Sequence, residues 1–114
     1  MVLMSAPSTT RKVAVRFAEL LHLPPSVVER MARFIQEQFG RTAESFSLLE
    51  AGGHLPVQRA LLLHDREDVN VPFVDAEEIA RHWPSLEFRP TTGLGHNRIM
   101  RDPAVIQQVV KFIA

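Results

Sequence analysis

Residues 60 to 63 of the stretch "RALLLHD", Ala-Leu-Leu-Leu, constrain this chain more than any other. They are apolar in succession, without the alternation of a strand that shows one face to water. A short run of this kind, bounded by polar residues, fits a parallel strand covered on both faces. Such a strand needs partner strands beside it and helices above and below it. The opening "VLM", bounded by Ser5 and Pro7, reads as one partner strand. "LEFRP" reads as the other, with Leu86 and Phe88 facing one way and Glu87 and Arg89 the other. That alternation marks a half-exposed edge strand, which Pro90 is expected to end.

Helical patterns separate these strands. Thr9 or Thr10 can cap "RKVAVRFAELLHL", where Ala14, Phe17, Ala18 and Leu21 share one face. After "LPP", Ser26 and Glu29 have the spacing of a capping box. The following helix places Val28, Met31, Ala32, Ile35 and Phe39 on one side, and Gly40 is its expected stop. A short helix around Ser47–Ala51 is expected to precede a loop. "VDAEEIARHW" aligns Ala76, Ile79, Ala80 and Trp83. In the last helix, Asp102 is the expected N-cap and Pro103 the first residue. Ile106, Val109, Val110 and Ile113 form its expected apolar face. Strands separated by helices pair in parallel through right-handed crossovers. The expected fold is therefore α/β, a three-stranded parallel sheet in sequential order with flanking helices.

Functional loops in open α/β sheets lie beyond the carboxyl ends of the strands. "DREDVNVP" and "TTGLGHNRIMR" occupy that position. Adjacent parallel strands lie about 5 Å apart, so Asp68 of the first loop and His96 of the second can meet. A carboxylate that holds one ring nitrogen of a histidine fixes its tautomer and stabilises its imidazolium. The other nitrogen is then free to act as a general base. Gly93 and Gly95 permit the tight turn that brings His96 inward. His64, at the strand end, reads as a supporting or structural residue, and Asn97 and Arg98 as groups that fix the His96 loop.

Composition narrows the chemistry. The 114 residues suffice for one hydrophobic core. A content of 46% apolar and 23% charged residues is globular rather than disordered. Thirteen basic residues balance thirteen acidic ones, so no basic surface for nucleic acid or an anionic membrane is expected. The absence of cysteine excludes disulfides, thiolate catalysis and cysteine zinc sites, and fits a cytoplasmic setting. "MVLMSAPSTT" is too short in its apolar part for a signal peptide or a membrane span. His22, His54 and His82 lack partners at metal spacing, and Asp65, Glu67 and Asp68 lack the oxygen density of a calcium loop. No metal or other cofactor is expected.

"LLLHDREDVNVP" followed by "GLGHNRIMRDPAVIQQVVKFI" resembles the C-terminal part of the α/β-hydrolase fold family. In that family the acid sits in an H-G-x-x-D-x-x-V-P loop after the seventh strand, and the histidine in a G-x-G-H loop after the eighth. Asp68 and His96 match the acid and histidine positions. The resemblance implies that "VLMSAPS" is the sixth strand, residues 10–55 a helical lid-like insertion, and residues 56–114 the β-α-β-α core that carries both loops. It implies a single partial domain over residues 1–114.

Two departures stand out. Asp65 replaces the family's glycine after His64. No G-x-S-x-G nucleophile turn occurs among these residues. Ser5 and Ser8 are poor substitutes, since neither is set in such a motif, and loss of a nucleophile costs on the order of 10⁶ in rate.

The resemblance thus implies part of a serine-dependent, esterase-like hydrolase carrying Asp68 and His96, inactive alone and acting on a small ester-type substrate once completed. The alternative is a non-catalytic interaction module. For either, the unpaired edge of the first strand implies association, with a second copy or with an N-terminal half that completes the sheet.

Overall fold

The computed structural model describes all residues 1–114. A three-stranded parallel sheet in the order β1-β2-β3 lies at its centre, formed by Val2–Met4, Ala60–Asp65 and Leu86–Thr91. Leu62 pairs with Leu3 on one side and with Phe88 on the other. The order and direction are those expected.

All six residues of β2 are buried because both sheet faces are covered. On one face Ala60 and Leu62 pack with Ala76, Ile79, Trp83 and Leu86, beneath helix α4 (Phe73–His82). On the other, Leu61 and Leu63 pack with Ile99, Val105 and Phe112. This second layer comprises α5 (Gly95–Arg98) and α6 (Pro103–Ile113). Alternate residues of one strand therefore enter two different cores. Each fully buried leucine contributes about 1.5–3 kcal/mol relative to exposure.

Helices α1 (Thr10–Leu20) and α2 (Ser26–Phe39) follow β1. Thr9 caps α1, its side chain accepting from the Lys12 amide. Gly40 ends α2 in the left-handed conformation at φ 64°, which costs glycine least. A 3₁₀ turn (Ala43–Phe46), the short helix α3 (Leu48–Ala51) and a second 3₁₀ turn (Gly52–His54) lead to β2. The α1 helix is tied to α4 by charge. Arg16 Nη2 lies 2.8 and 2.9 Å from the two oxygens of Asp75, which is fully buried. Asp75 also accepts from the Ser8 amide at 2.9 Å, and Lys12 pairs with Glu78.

Several expectations are corrected. The Ser26–Glu29 capping box does not form. Pro25 is the N-cap and makes no side-chain bond, Ser26 is already helical, and Glu29 pairs with Arg11 of α1 instead. Pro90 does not end its strand, which runs on to Thr91. As an edge strand, β3 can leave one side of its ladder unpaired, so a residue without an N–H is tolerated. In α6 the buried residues are Val105 and Phe112, with Val109 packed against them. Ile106, Val110 and Ile113 are exposed. The helix is apolar on more than one side, and contact with Leu61, Leu63 and Ile99 selects which side turns inward. Phe17, Met31 and Phe39 are exposed as well, so the apolar faces of α1 and α2 are only partly covered. Together they line a cavity of about 250 Å³ that includes Val13, Phe17, Val28, Met31 and Ile35.

Candidate active site

Beyond the carboxyl end of β2 the chain turns twice on its own aspartates. Asp65 Oδ1 accepts from the Glu67 amide two residues on, at 3.0 Å. Asp68 Oδ1 accepts from the amides of Asn70 at 2.9 Å and Val71 at 2.8 Å. Aspartate suits both positions because its short side chain reaches the backbone two or three residues ahead. The second turn leaves Asp68 Oδ2 free to point across to the next loop.

That loop follows β3. Gly93 and Gly95 adopt φ 82° and 68°, left-handed values that favour glycine. Arg98 clamps the turn, its Nε donating to Leu94 O at 3.1 Å and its Nη2 to Gly93 O at 2.7 Å. His96 sits in the single turn of α5 rather than in open loop.

The structure brings His96 and Asp68 together. His96 Nδ1 lies 2.8 Å from Asp68 Oδ2. Because a carboxylate oxygen accepts, Nδ1 carries the proton and Nε2 of the neutral ring holds the lone pair. The Asp68 side chain is fully buried and the His96 side chain 28% exposed. Burial pushes the Asp68 carboxyl upward, but the Val71 amide, His96 and the Asn70 amide outweigh it and hold it below the usual carboxylate range. An ionised aspartate thus orients a solvent-accessible imidazole. Chemically, this arrangement is able to accept a proton at Nε2 and to stabilise the charge that results.

Asp65 has a role that motif reading did not disclose. It is fully buried, and its Oδ2 accepts from the Thr91 hydroxyl at 2.6 Å and the Leu94 amide at 3.0 Å. One carboxylate therefore joins the Asp68 loop, through Glu67, to the His96 loop, through Leu94. Burial raises its pKa, yet the Thr91 hydroxyl and the amides of Gly95, Glu67 and Leu94 hold it at about 2. The D-x-x-D spacing at a strand end was the available signal, since both aspartates sit where Asx turns form.

His64 is also fully buried. Its Nε2 lies 2.8 Å from Val71 O and 3.6 Å from Asp68 Oδ2. His22 and His54 are exposed, and exposed His82 bonds the Glu78 carbonyl within α4. No group of three or more His, Cys, Asp or Glu side chains is placed to hold a metal ion. Ser5 follows β1 directly, with a left-handed φ of 48°, but no hydrogen bond joins it or any other serine to His96. No helix is long and apolar enough to cross a membrane.

No protein-family model matches the chain, and no curated protein does. Among solved structures, it is similar to the crystal structure of a protein named as a non-heme bromoperoxidase, BpoC, from Mycobacterium tuberculosis H37Rv. The TM-score is 0.61 at 17% sequence identity, over 98% of this chain. The chain spans 56% of that protein's length. This likeness establishes the fold, a three-stranded parallel α/β arrangement matching the C-terminal part of an α/β-hydrolase-like structure.

Proposed function

We propose that these residues carry the acid–base half of a serine-dependent hydrolase site that cleaves esters or similar acyl compounds. The observation that carries this reading is the 2.8 Å bond from His96 Nδ1 to buried Asp68, built between the ends of neighbouring parallel strands. Asp68 fixes the imidazole and stays charged. His96 Nε2 takes the proton from a serine hydroxyl as it attacks the acyl carbon, then returns it to the departing alcohol. The serine and the amides that stabilise the oxyanion come from a strand–G-x-S-x-G–helix unit that is not part of these 114 residues. Such a unit, set against the free edge of β1, would extend the parallel sheet.

The test is hydrolysis of a short-chain nitrophenyl ester, with His96→Ala as control. The chain alone is expected to show background rates only. Combined with a strand–G-x-S-x-G–helix unit, in the same chain or a separate one, these residues are expected to hydrolyse the ester and to lose at least about 10³-fold in kcat on His96→Ala. Hydrolysis indifferent to that substitution would refute the proposal.

A further inference from the structure

Two buried polar atoms beside the Asp68 loop have no hydrogen-bond partner. They are His64 Nδ1 and Ser5 Oγ. Their residues are neighbours across the sheet. Met4 pairs with Leu63, and the next residue, Ser5, donates its amide to Leu63 O at 3.0 Å. Adjacent strands lie about 5 Å apart, a spacing that one water can bridge between two side chains. Buried polar groups are rarely left unpaired. A hydroxyl and an imidazole lone pair are complementary, one able to donate and the other to accept.

The tautomer of His64 follows from its other nitrogen. Val71 O can only accept, so Nε2 carries the proton and Nδ1 the lone pair. The opposite tautomer would aim a lone pair at Val71 O and at Asp68 Oδ2, 3.6 Å away. The ring cannot easily turn away, because it packs edge-on against Phe73, with centroids 6.0 Å apart. Ser5 is held as firmly. Its backbone is left-handed at φ 48°, a conformation that costs serine more than glycine and persists only where the surroundings impose it.

We propose that Ser5 and His64 form a buried positioning line behind Asp68. The Ser5 hydroxyl donates to His64 Nδ1 through one bridging water, and thereby fixes the Nε2–H tautomer. His64 Nε2–H then holds the Val71 carbonyl while Asp68 Oδ1 holds the Val71 amide, at 2.8 Å in each case. The turn is gripped from both sides, and Asp68 Oδ2 is left aimed at His96. The inference rests on the reading of Asp68 and His96 as an acid–base pair, and gives the acid its own tautomer-setting support. Ser5, only 7% exposed, is not itself a nucleophile in this arrangement.

Imidazole ¹⁵N spectra of the labelled full chain test this without any turnover. His64 is expected as the Nε2–H tautomer, with Nδ1 shifted from the free-lone-pair position. Ser5→Ala should move Nδ1 toward that free position. The proton between His96 and Asp68 should shift or broaden in His64→Leu and return in His64→Gln, whose amide can still donate to Val71 O. A His64 Nδ1–H tautomer overturns the proposal. So does an Nδ1 resonance unmoved by Ser5→Ala, or a His96 proton unchanged in His64→Leu. If His64→Leu fails to fold, the Ser5→Ala spectrum decides. Ester hydrolysis by the completed site that is indifferent to His96→Ala would overturn the proposed function while leaving these spectra as expected, so the two failures are distinguishable.

Discussion

Replacing Asp65 by asparagine removes a charge while nearly keeping the side chain's shape. In the folded chain the carboxylate accepts from the Thr91 hydroxyl, the Leu94 amide and the Glu67 amide. Asparagine has one acceptor oxygen. With that oxygen toward Thr91 and Leu94, its NH₂ group faces the Glu67 N–H, leaving two donors opposed. An orphaned buried donor costs about 1–3 kcal/mol. The charge is favoured in the fold, since the pKa falls from 3.8 to about 2. At about 1.36 kcal/mol per unit this corresponds to roughly 2 kcal/mol of stability or slightly more. The expected destabilisation is about 2–4 kcal/mol, a fall in melting temperature on the order of 10 °C. Urea unfolding followed by the fluorescence of the single tryptophan, Trp83, which is buried, reads it directly.

The pH dependence gives a second check on the same residue. The folded pKa lies below the unfolded value, so Asp65's contribution is fully present above about pH 4 and is lost as pH falls through about 2. The gap between wild type and Asp65→Asn should therefore narrow by about 1–2 kcal/mol between neutral pH and about pH 2. A gap below about 0.5 kcal/mol near pH 7, or one of constant size across this range, would refute the assignment of Asp65 as the tie between the loops.

Asp75→Asn should destabilise the chain by about 1–3 kcal/mol, because it replaces the charged acceptor of the Arg16 guanidinium and of the Ser8 amide by a neutral one in a buried position. Limited proteolysis should then cut first within α1, and cleavage at wild-type rates would count against the tie. The Asp68 carboxyl, followed by ¹³C NMR, should titrate below the ordinary carboxylate range and move upward in His96→Ala. That variant removes both the hydrogen bond and the charge of His96 that help hold it down. An unchanged midpoint would mean that the pair does not form in solution.

Local patterns account for much of the outcome. The unbroken apolar run at Ala60–Leu63 requires cover on both faces, which is a property of the strand itself, and β2 is covered on both. Caps are equally local. Asp102 accepts from the Ala104 and Val105 amides, as a residue followed by proline at the first helical position should. The capping box at Ser26 failed for a non-local reason, since Glu29 found Arg11 on a neighbouring helix. The inward face of α6 was likewise beyond local reading. Ile106, Val110 and Ile113 are as apolar as Val105, Val109 and Phe112, and only the position of Leu61, Leu63 and Ile99 separates them.

The parallel α/β order, and the two loops that bring Asp68 and His96 to one sheet edge, are legible along the chain. Period, punctuation and strand direction are enough for that, because they depend on neighbours along the chain. The tertiary structure alone decided that Asp65 joins those loops and that His64 grips Val71. It also decided that the apolar faces of α1 and α2 line a cavity instead of a closed core. These are contacts between residues far apart in sequence or between turns whose geometry the strands impose. Spacing encodes the Asx turns, but not that the Asp65 carboxylate reaches across to the Leu94 amide of the next loop. That depends on where the folded backbone places its donors, and the cost of leaving a buried charge unpaired selects the rest.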